Sequence, residues 1–347
     1  MRPKAEEFTK QYLLPAVEDF VKRSLGLDII GEMKTCEQFS TRIFLQYSIL
    51  LDLLSKDDFG KYLSYISSYK EYVKEWLLNQ IVERLSKDST MFKLEDKHVQ
   101  SSIRSISDAI DKANTEKSGN LKTFVKNVCL GTPKLNISKD ALNAFLILEN
   151  AEQDHQQEQE QEEKQEQFAY WLTECVKDIT EALRKKYKST NIHTKLKNLD
   201  ISPQNQLFTD LIGCGEQCPF CKSPCEAGGS AHNVHMASLH QPHGLGEYRW
   251  SLTNKLTIDI CSSSVVSDVC FCCNATNGQF HPFKKYKKIF PGWNIAPDAS
   301  LQASDSWKYV MTKFNDKFAK EYKADAADIP ATWKSITHEQ AVTSLKK

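Results

Sequence analysis

Residues 214–225 read CGEQCPFCKSPC, and residues 232–243 read HNVHMASLHQPH. This short segment holds four cysteines and four histidines, with a Gly-Gly pair between its halves. The two-residue spacing of Cys218 and Cys221 lets two thiolates share one tight turn, which Pro219 stiffens. Paired cysteines followed by histidines at this density indicate a metal site.

Four side chains form the predicted ligand set because their order and spacing are close to those of Cys2His2 zinc sites. They are Cys218, Cys221, His235 and His240. Zinc is the predicted ion, since mixed thiolate and imidazole ligands suit it better than cations that prefer oxygen. Four neighbours can replace or supplement this set, namely Cys214, Cys225, His232 and His243. The alternative interpretation is a group of ordinary buried cysteines and surface histidines.

Composition limits the other function classes. The 347 residues carry 45 basic and 45 acidic side chains, so no overall positive field favours nucleic acid or an anionic membrane. No apolar run has the length of a signal peptide or a membrane span. With 11 cysteines, several of them scattered singly, free thiols in a reducing compartment are expected. The predicted location is the cytoplasm, with the nucleus as an addition.

Helical periodicity dominates the first part of the chain. From Phe59 to Leu85, apolar residues recur at three- and four-residue steps and predict one buried helical face. They are Tyr62, Leu63, Ile66, Tyr69, Val73, Trp76, Leu77, Ile81 and Leu85. From Asn150 to Gln167 the chain is rich in Gln and Glu, and an amphipathic face follows from Phe168 to Leu183. One long solvated helix is expected there, with a disordered tether and a self-associating coiled coil as alternatives.

Strand patterns appear only after the cysteine-histidine segment. Tyr248–Thr253 and Lys255–Ile260 predict a small antiparallel sheet, and Asn277-Gly278 is a hairpin signal. A helical stripe follows from Trp307 to Phe318, and Thr337 with Gln340 predicts a capping box. The predicted fold is therefore mainly α, with an N-terminal helical bundle and a small zinc-stabilised α+β module. The predicted domains are a helical domain (1–149), a Gln/Glu-rich helix and linker (150–200), and the zinc-binding module with C-terminal helices (201–347).

Further groups carry weaker signals. Cys261, Cys270, Cys272 and Cys273, with His281, are interpreted as buried structural thiols, with a second metal site or a catalytic thiol as alternatives. No Lys or Arg lies between Ser223 and Tyr248, so a DNA-reading finger is not expected. No Gly-x-x-x-x-Gly-Lys-Ser/Thr loop occurs, which excludes nucleotide hydrolysis by that route. No catalytic residue is assigned, and the chain alone is not expected to be an enzyme.

Several strings together resemble the C-terminal region of the interferon-induced very large GTPases. They are LIGCGEQCPFCK (211–222), GLG (244–246), DICSS (259–263), NATNG (274–278), PDAS (297–300), WKYV (307–310) and ADIP (327–330). The resemblance reaches the N-terminal helices, near 27–29 and 72–76, and covers nearly the whole chain. Gln241 and His243 depart from the family pattern, so His243 is left out of the ligand set. The Gln/Glu run is a second departure.

The resemblance implies a tail that follows a GTPase domain absent from this sequence, so GTP binding is not carried over to these residues. The first hypothesis is a noncatalytic interaction or scaffold module, zinc-stabilised, with protein partners and a role in innate immune defence. The alternative is a zinc-dependent ubiquitin-transfer module, with Cys225, Cys270 or Cys272 as the reactive thiol. Nucleic-acid binding is the third hypothesis.

Overall fold

The structure is a computed structural model that describes residues 1–116, 120–137, 158–229 and 231–346. These residues are mainly helical. The helices of the N-terminal half are α1 (Arg2–Phe8), α2 (Leu14–Lys34), α3 (Arg42–Lys56), α4 (Phe59–Ser67), α5 (Tyr69–Ser86), α6 (Thr90–Thr115) and α7 (Leu121–Gly131). The later helices are α8 (Glu158–Ser189), α9 (Ile192–Lys197), α10 (Pro203–Leu211), α11 (Cys261–Ser264), α12 (Asp305–Lys313), α13 (Asn315–Glu321), α14 (Ala331–Lys334) and α15 (His338–Ser344).

The strands are short and all lie in the C-terminal part. They are β1 (His235–Met236), β2 (Cys270–Phe271), β3 (His281–Pro282) and β4 (Trp293–Asn294). β1 pairs with β4 in parallel, and β2 pairs with β3 antiparallel. This confirms the predicted fold class, a helical chain with a small α+β region around the cysteine-histidine segment. None of the helices described has the length and apolar character needed to cross a membrane.

The chain separates into two compact units, and each is assembled from two stretches of sequence. Unit 1 contains Met1–Met33 and Gln80–Pro203, and unit 2 contains Lys34–Asn79 and Gln204–Lys347. An early helical stretch therefore joins the unit that carries the cysteine-histidine segment. The predicted division at 149 and 200 follows composition along the chain, and it stays a prediction.

Unit 1 is a helical bundle built from α1, α2, α6, α7 and α8. The predicted amphipathic face of α8 is confirmed, because Phe168, Leu172 and Val176 recur every four residues and are buried in the unit 1 core. The same helix runs back into the Gln/Glu-rich sequence as far as Glu158, and residues 150–157 lie outside the described residues. Since this apolar face packs inside its own unit, self-association through α8 stays a prediction.

Unit 2 contains most of the predicted apolar stripe from Phe59 to Leu85. The stripe is buried except for Leu63, which is half-buried, and it is interrupted at Ser68 between α4 and α5. Tyr62 and Tyr65 of α4 pack against Trp307 of α12, with ring centroids 6.5 and 6.1 Å apart. The stripe from Trp307 to Phe318 is also buried, so both predictions of core are confirmed within the described residues.

The last helix begins as predicted. The Thr337 hydroxyl accepts a hydrogen bond from the backbone N–H of Gln340 at 3.2 Å, and the Gln340 side-chain oxygen accepts from the N–H of Thr337 at 2.9 Å. The two bonds satisfy backbone donors that the first turn of a helix leaves unpaired. The predicted capping box of α15 is therefore confirmed.

The predicted strands Tyr248–Thr253 and Lys255–Ile260 are wrong. In this region the structure has only isolated bridges, an antiparallel one between Arg249 and Leu256 and a parallel one between Lys255 and Asp325. A turn interrupts the pattern, because the Asn254 N–H bonds to the Trp250 carbonyl at 2.8 Å and Asn254 has a φ of 54°. The hairpin signal has a different outcome. Asn277 and Gly278 both have positive φ and turn the chain within the longer loop that joins β2 to β3.

Candidate metal centres

A tight turn presents the first cysteine pair. The backbone N–H of Cys218 bonds to the carbonyl of Ser223 at 2.8 Å, and the N–H of Lys222 bonds back to the carbonyl of Cys218 at 3.0 Å. Lys222 has a φ of 63°, which closes the turn. The Cys218 and Cys221 side chains are both fully buried. Local hydrogen bonding therefore places both thiols on one side of the turn, as the two-residue spacing predicts.

The eight cysteines and histidines that come together in unit 2 form two groups of four. The inner group consists of Cys218, Cys221, His240 and Cys261, and all four are buried. The outer group consists of Cys214, Cys225, His232 and His235, of which only Cys225 is buried. In each group the four candidate ligand atoms lie within 4.8 Å of one another.

The distances between inner-group side chains are short, although the four residues come from three separate segments of the chain. The Sγ atoms of Cys218 and Cys261 are 3.6 Å apart, and the Sγ of Cys221 is 3.2 Å from the Nδ1 of His240. Cys261 begins α11, whereas His240 lies in a loop that enters the core. Gly246 is needed nearby, since a Cβ there would stand 2.0 Å from the carbonyl oxygen of Phe220. The inner group thus joins a turn, a loop and a helix start.

Outer-group distances follow the same pattern. The Sγ of Cys214 is 3.6 Å from the Nδ1 of His235, and the Sγ of Cys225 is 3.4 Å from the Nε2 of His232. The two histidine nitrogens are 3.2 Å apart. The remaining ring nitrogen of His232 lies 3.0 Å from the carbonyl of Gly228. That contact fixes the ring orientation, as it does for histidines that bind metals.

The separations between side-chain atoms fit a tetrahedral ion. Zinc–sulfur bonds of about 2.3 Å and zinc–nitrogen bonds of about 2.0–2.1 Å put tetrahedral ligand atoms about 3.8 Å apart for two sulfurs, about 3.5 Å for sulfur and nitrogen, and about 3.3 Å for two nitrogens. The Cys218–Cys261 distance is 3.6 Å, the Cys225–His232 distance is 3.4 Å and the His232–His235 distance is 3.2 Å. Both groups therefore suit one small tetrahedral cation each.

Electrostatics around the inner group also suit a cation. Burial raises the pKa of the Cys218 and Cys261 thiols well above their usual value. Burial acts on Cys221 in the same direction, but hydrogen bonds with Cys218, Cys261 and His240 outweigh it and hold the pKa of Cys221 well below its usual value. A divalent cation would stabilise all three sulfurs as thiolates. Hydrogen bonds within the group cannot do this, because some of the sulfurs must keep their protons to donate.

Backbone donors stabilise negative charge in the outer group. The N–H of Glu216 points to the Sγ of Cys214, and the N–H of Ala227 points to the Sγ of Cys225, each at 3.4 Å. Hydrogen bonds to a thiolate favour its charged form. Because each donor lies two residues after its cysteine, the same local turn serves both sulfurs.

Three of the four predicted ligands come together, and the fourth does not join them. Cys218, Cys221 and His240 share the inner group with Cys261, whereas His235 lies in the outer group. The sequence pattern groups Cys261 with Cys270, Cys272 and Cys273 instead. Ligands of the two groups alternate along the sequence, because the inner pair Cys218 and Cys221 lies between the outer cysteines Cys214 and Cys225. Spacing alone therefore does not show which residues belong together. Only the folded chain shows that Cys261 lies in the inner group, whereas Cys270 lies outside both groups.

His243 lies beside the inner group without belonging to it. Its side chain is 2% exposed, its Nε2 is 3.2 Å from the Sγ of Cys261, and its ring stacks on Phe283 at 5.1 Å. Burial lowers the pKa of His243 to about 4, so the imidazole is neutral at pH 7. A neutral ring can donate its Nε2 proton to the sulfur of Cys261, which suits a residue that orients a ligand.

The remaining cysteines lie apart from both groups. Cys270 is exposed on β2, and Cys272 and Cys273 are half-buried in the loop after it. His281 lies on β3, where its Cα pairs with that of Phe271. Among the described residues these side chains form no third set of candidate ligands.

Comparisons with known proteins agree with the resemblance noted in the sequence. Residues 214–345 match the family model for the interferon-induced very large GTPase 1, C-terminal domain. The chain is 25% identical over 353 aligned residues to interferon-induced very large GTPase 1 of Mus musculus and 26% identical over 354 to that of Homo sapiens. Both alignments cover 96% of this chain and 14% of the relative. No solved structure matches the chain significantly.

The matched residues begin at Cys214 and include both groups of candidate ligands. The likeness also extends over the N-terminal helices, although the chain spans only about a seventh of the curated relatives' length. The predicted resemblance is therefore confirmed: residues 214–345 match the model of the C-terminal domain of interferon-induced very large GTPase 1, and nearly the whole chain aligns with the two relatives.

Proposed function

We propose that unit 2 is a noncatalytic interaction module held together by two zinc ions, one in each group of four ligands. The observation that carries this proposal is the division of eight cysteines and histidines into two sets with tetrahedral spacing. Thiolate and imidazole donors favour zinc over cations that prefer oxygen. Bound zinc would supply rigid cross-links, and the surface of the module would bind its partners.

Closed coordination supports a structural role. Four protein ligands fill a tetrahedral zinc, whereas catalytic zinc keeps a position open for water or substrate. The inner group is buried on all sides, with Cys218, Cys221 and Cys261 at 0% exposure. Phe220, between the paired cysteines, packs against Phe271 and Phe283 at 4.9 Å. No substrate can approach such a centre without unfolding the core around it.

Each zinc would add a cross-link between segments of the chain that meet around it. The strands of unit 2 are two residues long, so the sheets alone provide little stability. The inner ion would fasten the start of α11 to the turn of Cys218 and Cys221. The outer ion would fasten β1, which carries His235, to the turn that holds Cys225. The zinc ions would thus reinforce the core that surrounds the inner group, which includes Phe220, Phe271 and Phe283.

The relatives suggest the biological setting. Both are named interferon-induced, and the matched family model describes the C-terminal domain of a GTPase. We place the module in the cytoplasm and in interferon-linked innate immune defence, with protein partners. In cells that carry the gene, interferon treatment should raise the amount of this protein. A level that does not respond would remove the immune part of the proposal.

Metal analysis tests the zinc part. Purified wild-type protein should contain two zinc ions per chain, and Cys214→Ser and Cys218→Ser should each retain at most one. The matched control is Cys36→Ser, since Cys36 belongs to neither group of unit 2, and it should retain both ions. Protein that folds with no zinc, or a serine variant that keeps two ions, would contradict the proposal.

Ubiquitin transfer is the second candidate function. Its reactive thiol would have to be Cys270 or Cys272, because Cys225 belongs to the outer group. Cys270 is exposed on β2, which allows access to a charged conjugating enzyme. A conjugating enzyme charged with ubiquitin should then discharge faster with wild type than with Cys270→Ser. Equal rates, with no ubiquitin adduct on the chain, would eliminate Cys270 as the acceptor.

A further inference from the structure

A cavity of about 210 Å³ lies within unit 2, at the N-terminal end of α3. Its walls come from α3, α4 and α5, the metal-bearing loops, α12 and the end of the chain. Arg42, Gln46 and Tyr47 line it from the first turns of α3. Cys225 and Gln241, a member and an immediate neighbour of the candidate metal ligands, line another side. The shape of the cavity therefore depends on the loops that zinc would fasten.

Two polar atoms of the cavity lining have no hydrogen-bond partner among the described residues. The Gln241 side chain is 2% exposed, and its Oε1 is unpaired. The Nη1 of Arg42 is likewise buried and unpaired. An unsatisfied buried polar group destabilises the fold that contains it. Two such groups in one cavity indicate that a ligand supplies the missing partners.

The lining carries one positive and one negative side chain, Arg42 and Glu226, and only the positive one can bind an anionic group. Arg42 forms no ion pair among the described residues, whereas the other charged residue of the lining, Glu226, accepts a hydrogen bond from the N–H of Ser238 at 2.8 Å. Arg42 also opens α3, whose N-terminal end carries a partial positive charge. Arginine binds a carboxylate with two parallel hydrogen bonds, whereas the unpaired Oε1 of Gln241 is an acceptor and needs an N–H donor from the ligand.

The other walls are apolar. Tyr65, Tyr69 and Trp307 line the cavity and are buried, and the two tyrosines are already hydrogen-bonded through Gln46. Ile43 and Leu239 stand at the rim with 74% and 59% of their surface exposed. The volume is below the roughly 300–1,000 Å³ of pockets that hold whole small molecules, so it suits one side chain of a larger partner.

We propose that this cavity binds a peptide segment of a partner protein that presents a bulky apolar side chain beside a carboxylate. The apolar side chain enters between the aromatic walls, the carboxylate binds Arg42, and a backbone N–H of the peptide donates to the Oε1 of Gln241. Ile43 and Leu239 cover the flanking residues of the peptide. This inference rests on the proposed interaction function and adds the chemistry of the partner.

A peptide selection tests the proposal. The full-length wild-type chain, loaded with zinc, would be used to select from a random heptapeptide library displayed on phage. The expected result is a consensus in which Asp or Glu adjoins Leu, Phe or Trp. The best peptide would then be synthesised with its carboxylate and with the matching amide, and the affinities measured by fluorescence anisotropy.

Variants locate the binding site. Arg42→Gln should weaken the carboxylate peptide at least 10-fold and the amide peptide by less than 3-fold, because the pair acts as one unit in a double-mutant cycle. Ile43→Ser, a change at a mostly exposed position, should weaken both peptides. Lys61→Gln removes a positive charge from an exposed position of α4 outside the cavity and should leave both affinities unchanged. Each variant should keep two zinc ions and the wild-type melting temperature.

The outcomes separate this inference from the function on which it rests. If the variants fold with two zinc ions but no peptide is selected, or the selected peptides lack a carboxylate or bind independently of Arg42, the cavity proposal is wrong and the zinc module stands. If the wild-type chain folds without zinc, the proposed module fails instead. Peptide binding that survives removal of both ions would separate the cavity from the metal centres.

Discussion

The inner and outer groups use the same ligand chemistry in different surroundings. The inner group has three cysteines and one histidine, all buried, and its Cys218 and Cys261 are 43 residues apart. The outer group has two cysteines and two histidines, three of them half-exposed, and its Cys214 and His235 are 21 residues apart. Closing a longer loop costs more chain entropy, and a buried ion exchanges more slowly with solvent. We therefore expect the fold to depend more on the inner group, and the outer group to be the more accessible one.

The largest effect expected from this comparison is the loss of Cys221. Cys221→Ser removes a fully buried inner ligand, and a complete structural zinc site contributes on the order of 10 kcal/mol to folding. That is similar to the whole stability of a domain, about 5–15 kcal/mol. We expect unit 2 to unfold, which near-ultraviolet circular dichroism and limited proteolysis would show. The matched outer variant Cys214→Ser should keep its core folded, and equal damage in both variants would break the comparison.

Chelation should separate the two ions in time. With excess chelator and a colorimetric reporter of free zinc, we expect one ion per chain to leave fast from the half-exposed outer group and one slowly from the buried inner group. The rates should differ by at least 10-fold. His235→Ala should remove the fast phase and leave the slow one. A single phase that releases both ions would show that burial does not distinguish the groups.

A smaller effect is expected for His243, which contacts the inner group without belonging to it. Its Nε2 lies 3.2 Å from the sulfur of Cys261, and loss of such a supporting contact typically weakens metal binding by about 10–100-fold. His243→Gln should therefore lower inner-site affinity in a competition with a chelator of known strength. His281→Gln, at a half-buried position outside both groups, is the control. Unchanged affinity would limit His243 to packing against Phe283.

The smallest effect belongs to the exposed thiol outside both groups. Cys270→Ser should keep two zinc ions and change the free energy of unfolding by less than about 0.5 kcal/mol, because surface substitutions away from special features are nearly neutral. Zinc analysis and chemical denaturation check this. Loss of an ion would mean that Cys270 takes part in a centre and that the assignment of four ligands to each group is incomplete.

Local patterns in the sequence predicted the elements that depend on nearby residues. The stripe from Tyr62 to Leu85 and the amphipathic face of α8 repeat at helical spacing, and the capping box of Thr337 spans four residues, so local spacing is sufficient evidence for each helix. The strands expected at 248–253 and 255–260 failed because residues 251–253 form a turn, which leaves only isolated bridges on either side of it. β propensity depends strongly on tertiary context.

The sequence by itself determined that unit 2 has cysteines and histidines in metal-binding numbers, that Cys218 and Cys221 act as a pair, and that helices form most of the chain. Only the tertiary structure decided how eight candidate ligands divide into two sets. His235 joined the outer group and Cys261 joined the inner one because distance in space, unlike spacing in the chain, depends on how β1 and α11 pack. The cavity at Arg42 has the same origin, since its lining comes from segments far apart in the sequence.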